Sequence, residues 1–208
     1  WLARFEGANP LAGFDAWAQA QACPTAALFN ALGQGRDIGI SQAPLLPGVV
    51  ELSRKNIEFL AAQALAEPTF CARPTWPGPD AEPRPSETGA LARSQSRPPL
   101  SDWLAQRGRG VGARMLARLL ELASLPAWLR GEGMPAMHAW GLPDQVGVAA
   151  VETSRGLLLH LVRLSNDKVD QYRIIAPTEW NFHPAGPLAE ALSGVSAETD
   201  LPATAQQI

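Results

Sequence analysis

The apolar positions in the first two thirds of the chain recur every three or four residues, which is the spacing of a helix with one buried face. This pattern predicts helices over residues 11–34, 48–66 and 101–129. Glycines at 108, 110 and 112 indicate an interruption within the third helix. The amino-terminal part of the protein is therefore predicted to be helical.

Pro24 stands inside the first helical segment, directly after Cys23. A proline ring removes a backbone donor and clashes with the preceding turn, so it either breaks a helix or begins a new one. We therefore expect Cys23 at a helix N-terminus. Free backbone N–H groups and the helix dipole favour a thiolate there.

After Pro143 the apolar positions alternate instead, as they do in strands. This pattern predicts strands over residues 146–152, 156–164 and 169–176. The sequence Ser-Asn-Asp-Lys at 165–168 is typical of a tight turn, so the last two strands should pair as an antiparallel hairpin. A short helix is predicted over 187–192. The elements together predict a mainly helical α+β fold with a small antiparallel sheet late in the chain.

The chain is predicted to form one domain over residues 1–208, with an excursion at 73–99. The excursion contains seven prolines and few apolar residues, so we expect it to be mobile or to lie on the surface. The chain begins at Trp1 without a methionine or a signal-peptide pattern, and we expect it to be a fragment of a longer protein.

The composition is that of a globular protein, with 46% hydrophobic and 18% charged residues. The net charge is -3 and the basic residues do not cluster, so nucleic-acid binding is not expected. No apolar run is long enough to predict a membrane-spanning helix. Cys23 and Cys71 are the two cysteines. Two cysteines give no disulfide framework and suit a reducing cytoplasm.

Two polar residues are predicted to meet where the hairpin opens. Arg155 precedes its first strand, and Thr178 follows its second strand after Pro177. Since the start of one strand lies beside the end of the other, we expect a pocket that presents a guanidinium and a hydroxyl to one small polar ligand. Taken singly, an arginine at a strand end and a threonine in a turn are usually ordinary surface residues. Glu152 and Glu179 flank this pocket, where carboxylates are usually just solvated.

The three histidines, His138, His160 and His183, lack the close spacing of metal ligands. His160 lies between leucines and is expected to be a hydrogen-bonded core residue. His183 is a weak candidate for a functional group in a turn. The sequence contains no Ser-His-Asp arrangement in a motif context, no glycine-rich phosphate loop and no Cys-x-x-Cys motif.

Two segments near the pocket resemble the large subunits of nickel–iron hydrogenases. Residues 152–160, Glu-Thr-Ser-Arg-Gly-Leu-Leu-Leu-His, are similar to their Glu-Ala-Pro-Arg-Gly-Ala-Leu-Gly-His segment. Residues 172–181 are similar to Tyr-Gln-Ile-Val-Val-Pro-Thr-Thr-Trp-Asn. The variant Ala-Pro-Thr-Glu-Trp-Asn-Phe-His-Pro at 176–184 resembles the HupK/HoxV accessory proteins of hydrogenase maturation. The resemblance is strong over 145–192, weaker over 16–66, and implies a large-subunit-like fold.

The chain departs from the large subunits at their metal ligands. Their amino-terminal motif is Arg-x-Cys-Gly-x-Cys-x-x-x-His, and its two cysteine positions and its histidine position correspond to Ala20, Cys23 and Ala27. Ser154 replaces the proline before the arginine. The resemblance therefore implies at most one of the usual metal ligands, Cys23, within this chain.

In the large subunits an iron with two cyanides and one carbon monoxide lies against the matching arginine and hydroxyl. The resemblance implies that Arg155 and Thr178 would bind the cyanides, that Ala176 and Pro177 would supply an apolar wall, and that Cys23 would hold the iron. It implies a non-enzymatic scaffold or carrier for the Fe(CN)2(CO) group, without nickel, whose partners are the hydrogenase large subunit and small maturation proteins. A divergent large subunit and a structural chaperone with an empty pocket are the alternatives.

Overall fold

The fold combines helices with two antiparallel sheets, so the predicted α+β class is confirmed. A computed structural model describes residues 5, 7–33, 38–78, 82–133 and 136–193. The helices of these residues are α1 (Pro10–Gln19), α2 (Pro24–Leu32), α3 (Arg54–Ala66), α4 (Ala90–Ser94), α5 (Leu100–Arg107), α6 (Val111–Leu129), α7 (Pro177–Asn181) and α8 (Pro187–Ser193). The strands are β1 (Trp76–Pro77), β2 (Pro83–Arg84), β3 (Met137–Leu142), β4 (Val146–Thr153), β5 (Gly156–Ser165) and β6 (Lys168–Ile175).

The chain divides into two compact units, each made of separate stretches of sequence. The first comprises Trp1–Gln42, Ser94–Glu132 and Glu190–Ile208. The second comprises Ala43–Arg93 and Gly133–Ala189. A single domain over residues 1–208 stays a prediction.

The first unit, which we call the helical unit, is built around packed aromatic rings. Phe14 of α1, Phe29 of α2 and Trp103 of α5 are almost fully buried, and their ring centroids lie 5.1 to 6.3 Å apart in edge-on arrangements. Such rings bury a large apolar area and favour edge-to-face contacts. The segment predicted as helical over 11–34 forms two helices, because α1 ends at Gln19 and α2 begins at Pro24, directly after Cys23.

The predicted interruption between 108 and 112 is confirmed. α5 ends at Arg107, and α6 begins at Val111. Gly108 has a φ of 93°. A residue with a side chain rarely adopts such a φ, and a Cβ at this position would lie 3.3 Å from the Ile40 side chain.

The second unit is built on a four-stranded antiparallel meander with the order β3-β4-β5-β6. Its inner face places Val148, Ala150, Leu159, Leu161 and Ile175 in one core with α3. The predicted hairpin is confirmed: Leu164 pairs with Val169 and Ser165 with Lys168. Asn166 and Asp167 have φ angles of 51° and 58°, which is typical of a type I′ turn that matches the strand twist. β3 was not predicted.

The expectation that all of 73–99 is a surface excursion is wrong for residues 86–93, which we call the platform. Ser86, Glu87 and Thr88 are 0%, 5% and 7% exposed. The backbone of Glu87 pairs in both directions with the 44–46 segment, since its N–H donates to the Pro44 carbonyl and its carbonyl accepts from Leu46 N, both at 2.8 Å. This pairing satisfies backbone groups that burial would otherwise leave without partners. Residues 82–84 are exposed as expected.

Candidate functional site

Arg155 lies on the two-residue turn that joins β4 to β5, where Thr153 pairs with Gly156. Inside the turn, the Arg155 backbone N–H donates to Thr153 Oγ1 at 3.3 Å. The Arg155 side chain is exposed, and within the part of the chain that the structure describes its guanidinium makes no hydrogen bond or ion pair. The turn therefore presents five N–H donors that are available to a ligand.

The platform supports this turn from the β5 side. The Leu157 backbone N–H donates to Thr88 Oγ1 at 2.9 Å, in a buried position. Gly156 has a φ of 129°, and a Cβ at this position would lie 2.5 Å from Thr88 Cγ2 and 2.9 Å from Gly89 N. Only glycine can make so close an approach in this conformation. The residue after Arg155 is thus fixed by contact with Thr88.

Asn181, the last residue of α7, joins that helix to the platform and to the turn. Its Oδ1 accepts from Thr88 N at 2.9 Å, and its Nδ2 donates to the Thr88 carbonyl at 3.1 Å. Nδ2 also lies 3.5 Å from the Arg155 carbonyl oxygen, at the limit of a hydrogen bond. α7 and the Arg155 turn are therefore adjacent, as the hairpin register predicted. A shared pocket of Arg155 and Thr178 stays a prediction.

A buried ion pair fixes the β4 side of the turn. Glu152 Oε2 accepts from Arg93 Nη1 at 2.6 Å, and the two side chains are only 5% and 18% exposed. Glu152 Oε1 accepts from Val49 N at 3.1 Å. Sequence reasoning placed Glu152 beside the pocket as a solvated carboxylate. The structure instead gives it a supporting role, since both of its oxygens are used inside the protein.

The predicted apolar wall and hydroxyl lie at the start of α7. Ala176 is the N-cap residue of this helix, and Pro177 occupies its first turn and is buried. Thr178 is exposed, and among the described residues its hydroxyl makes no hydrogen bond. Trp180 is 0% exposed and anchors α7 in the core of the second unit.

Cys23 is the N-cap residue of α2, as predicted, and is exposed. It belongs to the helical unit, whereas the other four predicted site residues belong to the second unit. In the described residues, no group of three or more histidine, cysteine, aspartate or glutamate side chains could hold a metal ion. A single exposed thiol is one soft ligand, fewer than a closed metal cage needs.

Two titratable side chains lie near α7. Burial raises the pKa of the Cys71 thiol, the positive charge of Arg173 lowers it in part, and Glu179 raises it. Burial also lowers the pKa of His183, and the charge of Arg73 lowers it further, against a hydrogen bond with the Arg73 backbone. His183 Nδ1 accepts from Ala185 N at 3.1 Å, which suits the neutral ring.

His160 lies on the outer face of the sheet and not in the core. It pairs with Tyr172, since its Nδ1 lies 2.5 Å from the tyrosine hydroxyl, so the predicted hydrogen bond is present and the predicted core location is wrong. His160 and Tyr172 line a shallow depression on this face, together with small and apolar residues of β3, β4 and β5. The depression is separate from the Arg155 turn.

Sequence reasoning missed Thr88 and Gly89 as parts of the site. Both lie in the proline-rich segment, where no periodic pattern indicated burial. Asn181 stood within the segment that carried the family resemblance, yet its side chain was not assigned a role. A glycine directly after a candidate arginine was the one available clue, because Gly156 implies a close approach by another part of the chain.

Comparison with known proteins shows that this chain matches the family model of the nickel-dependent hydrogenases over residues 114–200. More narrowly, it is homologous to the hydrogenase expression/formation proteins HupK and HoxV, so the predicted relationship is confirmed. It is 34% identical to HoxV of Cupriavidus necator over 209 residues, which cover 93% of this chain and 50% of that protein. It is 39% identical to HupK of Bradyrhizobium diazoefficiens over 123 residues, 56% of this chain and 32% of that protein.

The chain thus spans half or less of the length of the curated relatives it matches. Among solved structures, it is similar to the Ni-Fe-Se hydrogenase of D. vulgaris Hildenborough, with a TM-score of 0.45 and 23% identity over 60% of this chain and 34% of that one. None of the described helices has the length and apolar character needed to cross a membrane.

Proposed function

We propose that this chain is a hydrogenase maturation protein that holds the Fe(CN)2(CO) group as cargo before the group passes to the hydrogenase large subunit. The named relatives HupK and HoxV are hydrogenase expression/formation proteins, which supports an accessory role. The observation that carries the cargo proposal is the Arg155 turn: an exposed guanidinium without partners in the described residues, on a turn supported from both strands.

The chemistry of the cargo matches the residues near this turn. Cyanide nitrogen accepts hydrogen bonds well, whereas the oxygen of bound carbon monoxide accepts them poorly. The Arg155 guanidinium and the Thr178 hydroxyl would donate to the cyanides, and each bond from the charged group is worth about 1.5–3 kcal/mol. Ala176 and Pro177 carry no side-chain donor and would face the carbonyl. The four residues would thus distinguish the two kinds of diatomic ligand.

Cys23 would hold the iron with one soft thiolate. The two positions that match the other amino-terminal ligands of the large subunits are Ala20 and Ala27, which cannot bind metal. A site with nickel and iron bridged by thiolates needs several cysteines, and Cys23 is the one cysteine that this chain has at the matching amino-terminal ligand positions, so the proposed cargo contains no nickel. One thiolate combined with specific recognition of the cyanides suits a carrier that later releases its cargo to the large subunit, with small maturation proteins as further partners.

Infrared spectroscopy tests this proposal directly. The protein is co-produced with the remaining maturation proteins, purified without oxygen, and scanned for cyanide and carbonyl stretching bands. We expect both kinds of band in the wild type. Arg155→Lys keeps the charge but loses the planar fork, so it should shift the cyanide bands more than the carbonyl band. Arg163→Lys, in an exposed ion pair on the same sheet, is the control and should leave the bands in place.

The absence of cyanide and carbonyl bands from the wild-type protein would refute the cargo proposal. Hydrogenase maturation that survives both Arg155→Ala and Cys23→Ala would favour a structural chaperone with an empty pocket. Bound nickel together with hydrogen turnover would indicate a divergent large subunit instead.

A further inference from the structure

We propose that Thr88 is a positioning residue, which fixes the direction in which the turn between β4 and β5 presents the Arg155 guanidinium. This inference rests on the proposed function, because it concerns how the cargo's cyanide ligands are met. Thr88 itself is 7% exposed and is separated from Arg155 by more than sixty positions in the chain. It would act through the backbone of the turn.

Thr88 binds the backbone of the strand that follows Arg155. Its Oγ1 accepts from Leu157 N at 2.9 Å, two residues beyond the arginine. A two-residue turn has few backbone angles to adjust, so a fixed Leu157 amide constrains where the Cα–Cβ bond of Arg155 points. On the β4 side, the turn is held by the ordinary sheet pairing of Thr153 with Gly156.

The Thr88 side chain fills the space over Gly156. The Thr88 methyl and hydroxyl would lie 2.5 and 2.8 Å from a Cβ at residue 156. The adjoining Gly89 has a φ of 126°, and a Cβ there would lie 3.2 Å from the Arg155 carbonyl oxygen. Two glycines with positive φ thus let the platform and the turn approach each other more closely than residues with side chains would.

The Thr88 backbone is itself held by hydrogen bonds from α7. Asn181 bonds both the Thr88 N–H and the Thr88 carbonyl, at 2.9 and 3.1 Å, and its Nδ2 reaches toward the Arg155 carbonyl. Thr88 is therefore held by α7 while it holds the turn. Because α7 also carries Thr178, one residue links the two predicted cyanide donors.

Direction matters here because a guanidinium binds through a planar fork. Small errors in the placement of such a group weaken its hydrogen bonds to a fixed ligand. A residue that orients the turn would therefore affect how the cyanides are bound without touching them. The methyl and the hydroxyl of Thr88 can be tested separately, since Thr88→Val retains the shape without an acceptor and Thr88→Ser retains the acceptor without the methyl.

The first experiment needs no cargo. Amide hydrogen exchange and backbone ¹⁵N relaxation are measured for wild type, Thr88→Val and Thr88→Ser. We expect the Leu157 amide to exchange about tenfold faster in Thr88→Val, because it loses its acceptor, and the Arg155 amide to become less ordered. Thr88→Ser should stay close to wild type. Unchanged exchange and order in Thr88→Val would overturn the inference.

The second experiment uses protein loaded with cargo in cells that contain the other maturation proteins. In Thr88→Val the cyanide stretching bands should shift or broaden while the carbonyl band stays in place, and Thr88→Ser should restore them. A loosened turn with unshifted cyanide bands would make Thr88 a structural residue only and would overturn its positioning role. Wild-type protein without bands would instead contradict the proposed function, and the positioning of Arg155 would then be judged on exchange and order alone.

Discussion

Gly156→Ala is the substitution that most directly tests how tightly the Arg155 turn is held. The new Cβ would lie 2.5 Å from Thr88 Cγ2, where non-bonded carbons normally lie about 3.5–4.0 Å apart, and 2.9 Å from Gly89 N. The φ of 129° adds backbone strain for any residue with a side chain. Strain of about 1–3 kcal/mol and overpacking of about 1–3 kcal/mol predict a loss of about 2–6 kcal/mol in the free energy of unfolding.

The chain offers a matched control for the backbone strain alone. Gly131 has a φ of 85°, and a Cβ there would meet nothing within 4 Å. Gly131→Ala should therefore cost only about 1 kcal/mol. Thr88→Ser should rescue Gly156→Ala in part, because it removes the methyl overlap but leaves the backbone nitrogen of Gly89 in place.

Urea unfolding of each variant, followed by circular dichroism and tryptophan fluorescence, measures these losses. Gly156→Ala should unfold at a clearly lower urea concentration than Gly131→Ala. Equal midpoints for the two variants would refute the close approach of the platform to the turn.

Three further predictions concern charged and titratable groups. Glu152→Gln should lower the free energy of unfolding by about 2 kcal/mol in urea titrations, whereas Asp170→Asn, in an exposed ion pair, should cost well under 1 kcal/mol. The alkylation of Cys71, followed by peptide mass spectrometry against pH, should have a midpoint above that of an ordinary thiol, and Arg173→Met should raise it further. NMR should show that the pKa of His183 lies below 6.5, because folding disfavours its charged form. Its contribution to stability is therefore present above its ordinary pKa and is lost as the pH falls through the folded pKa. This pH dependence should vanish in His183→Gln.

The sequence was informative where structure depends on neighbours along the chain. Pro24 predicted the helix start after Cys23, and the Asn166-Asp167 pair predicted the β5–β6 turn. β3 was missed because it is an edge strand with no fully buried residue, so its sequence shows no alternation.

The site was only partly predictable for a related reason. Arg155 and Thr178 belong to a local hairpin, and their common neighbourhood followed from its register. Thr88 joins this site through contacts with Leu157 and Asn181, which lie 69 and 93 positions further along the chain. Contacts at such separation leave no periodic trace in a single sequence. Composition then favoured the wrong expectation, since a proline-rich polar stretch resembles a mobile linker.

The positions of the arginines in residues 73–99 make trypsin cleavage a measure of local opening of the platform. Three of the four arginines in this stretch precede a proline, at Arg73, Arg84 and Arg97, and trypsin does not cleave such bonds. The remaining tryptic bond follows Arg93, whose guanidinium is held by the buried Glu152 carboxylate. Trypsin therefore does not cleave the exposed half of the stretch. Cleavage after Arg93 measures how often the platform opens and releases the Arg155 turn.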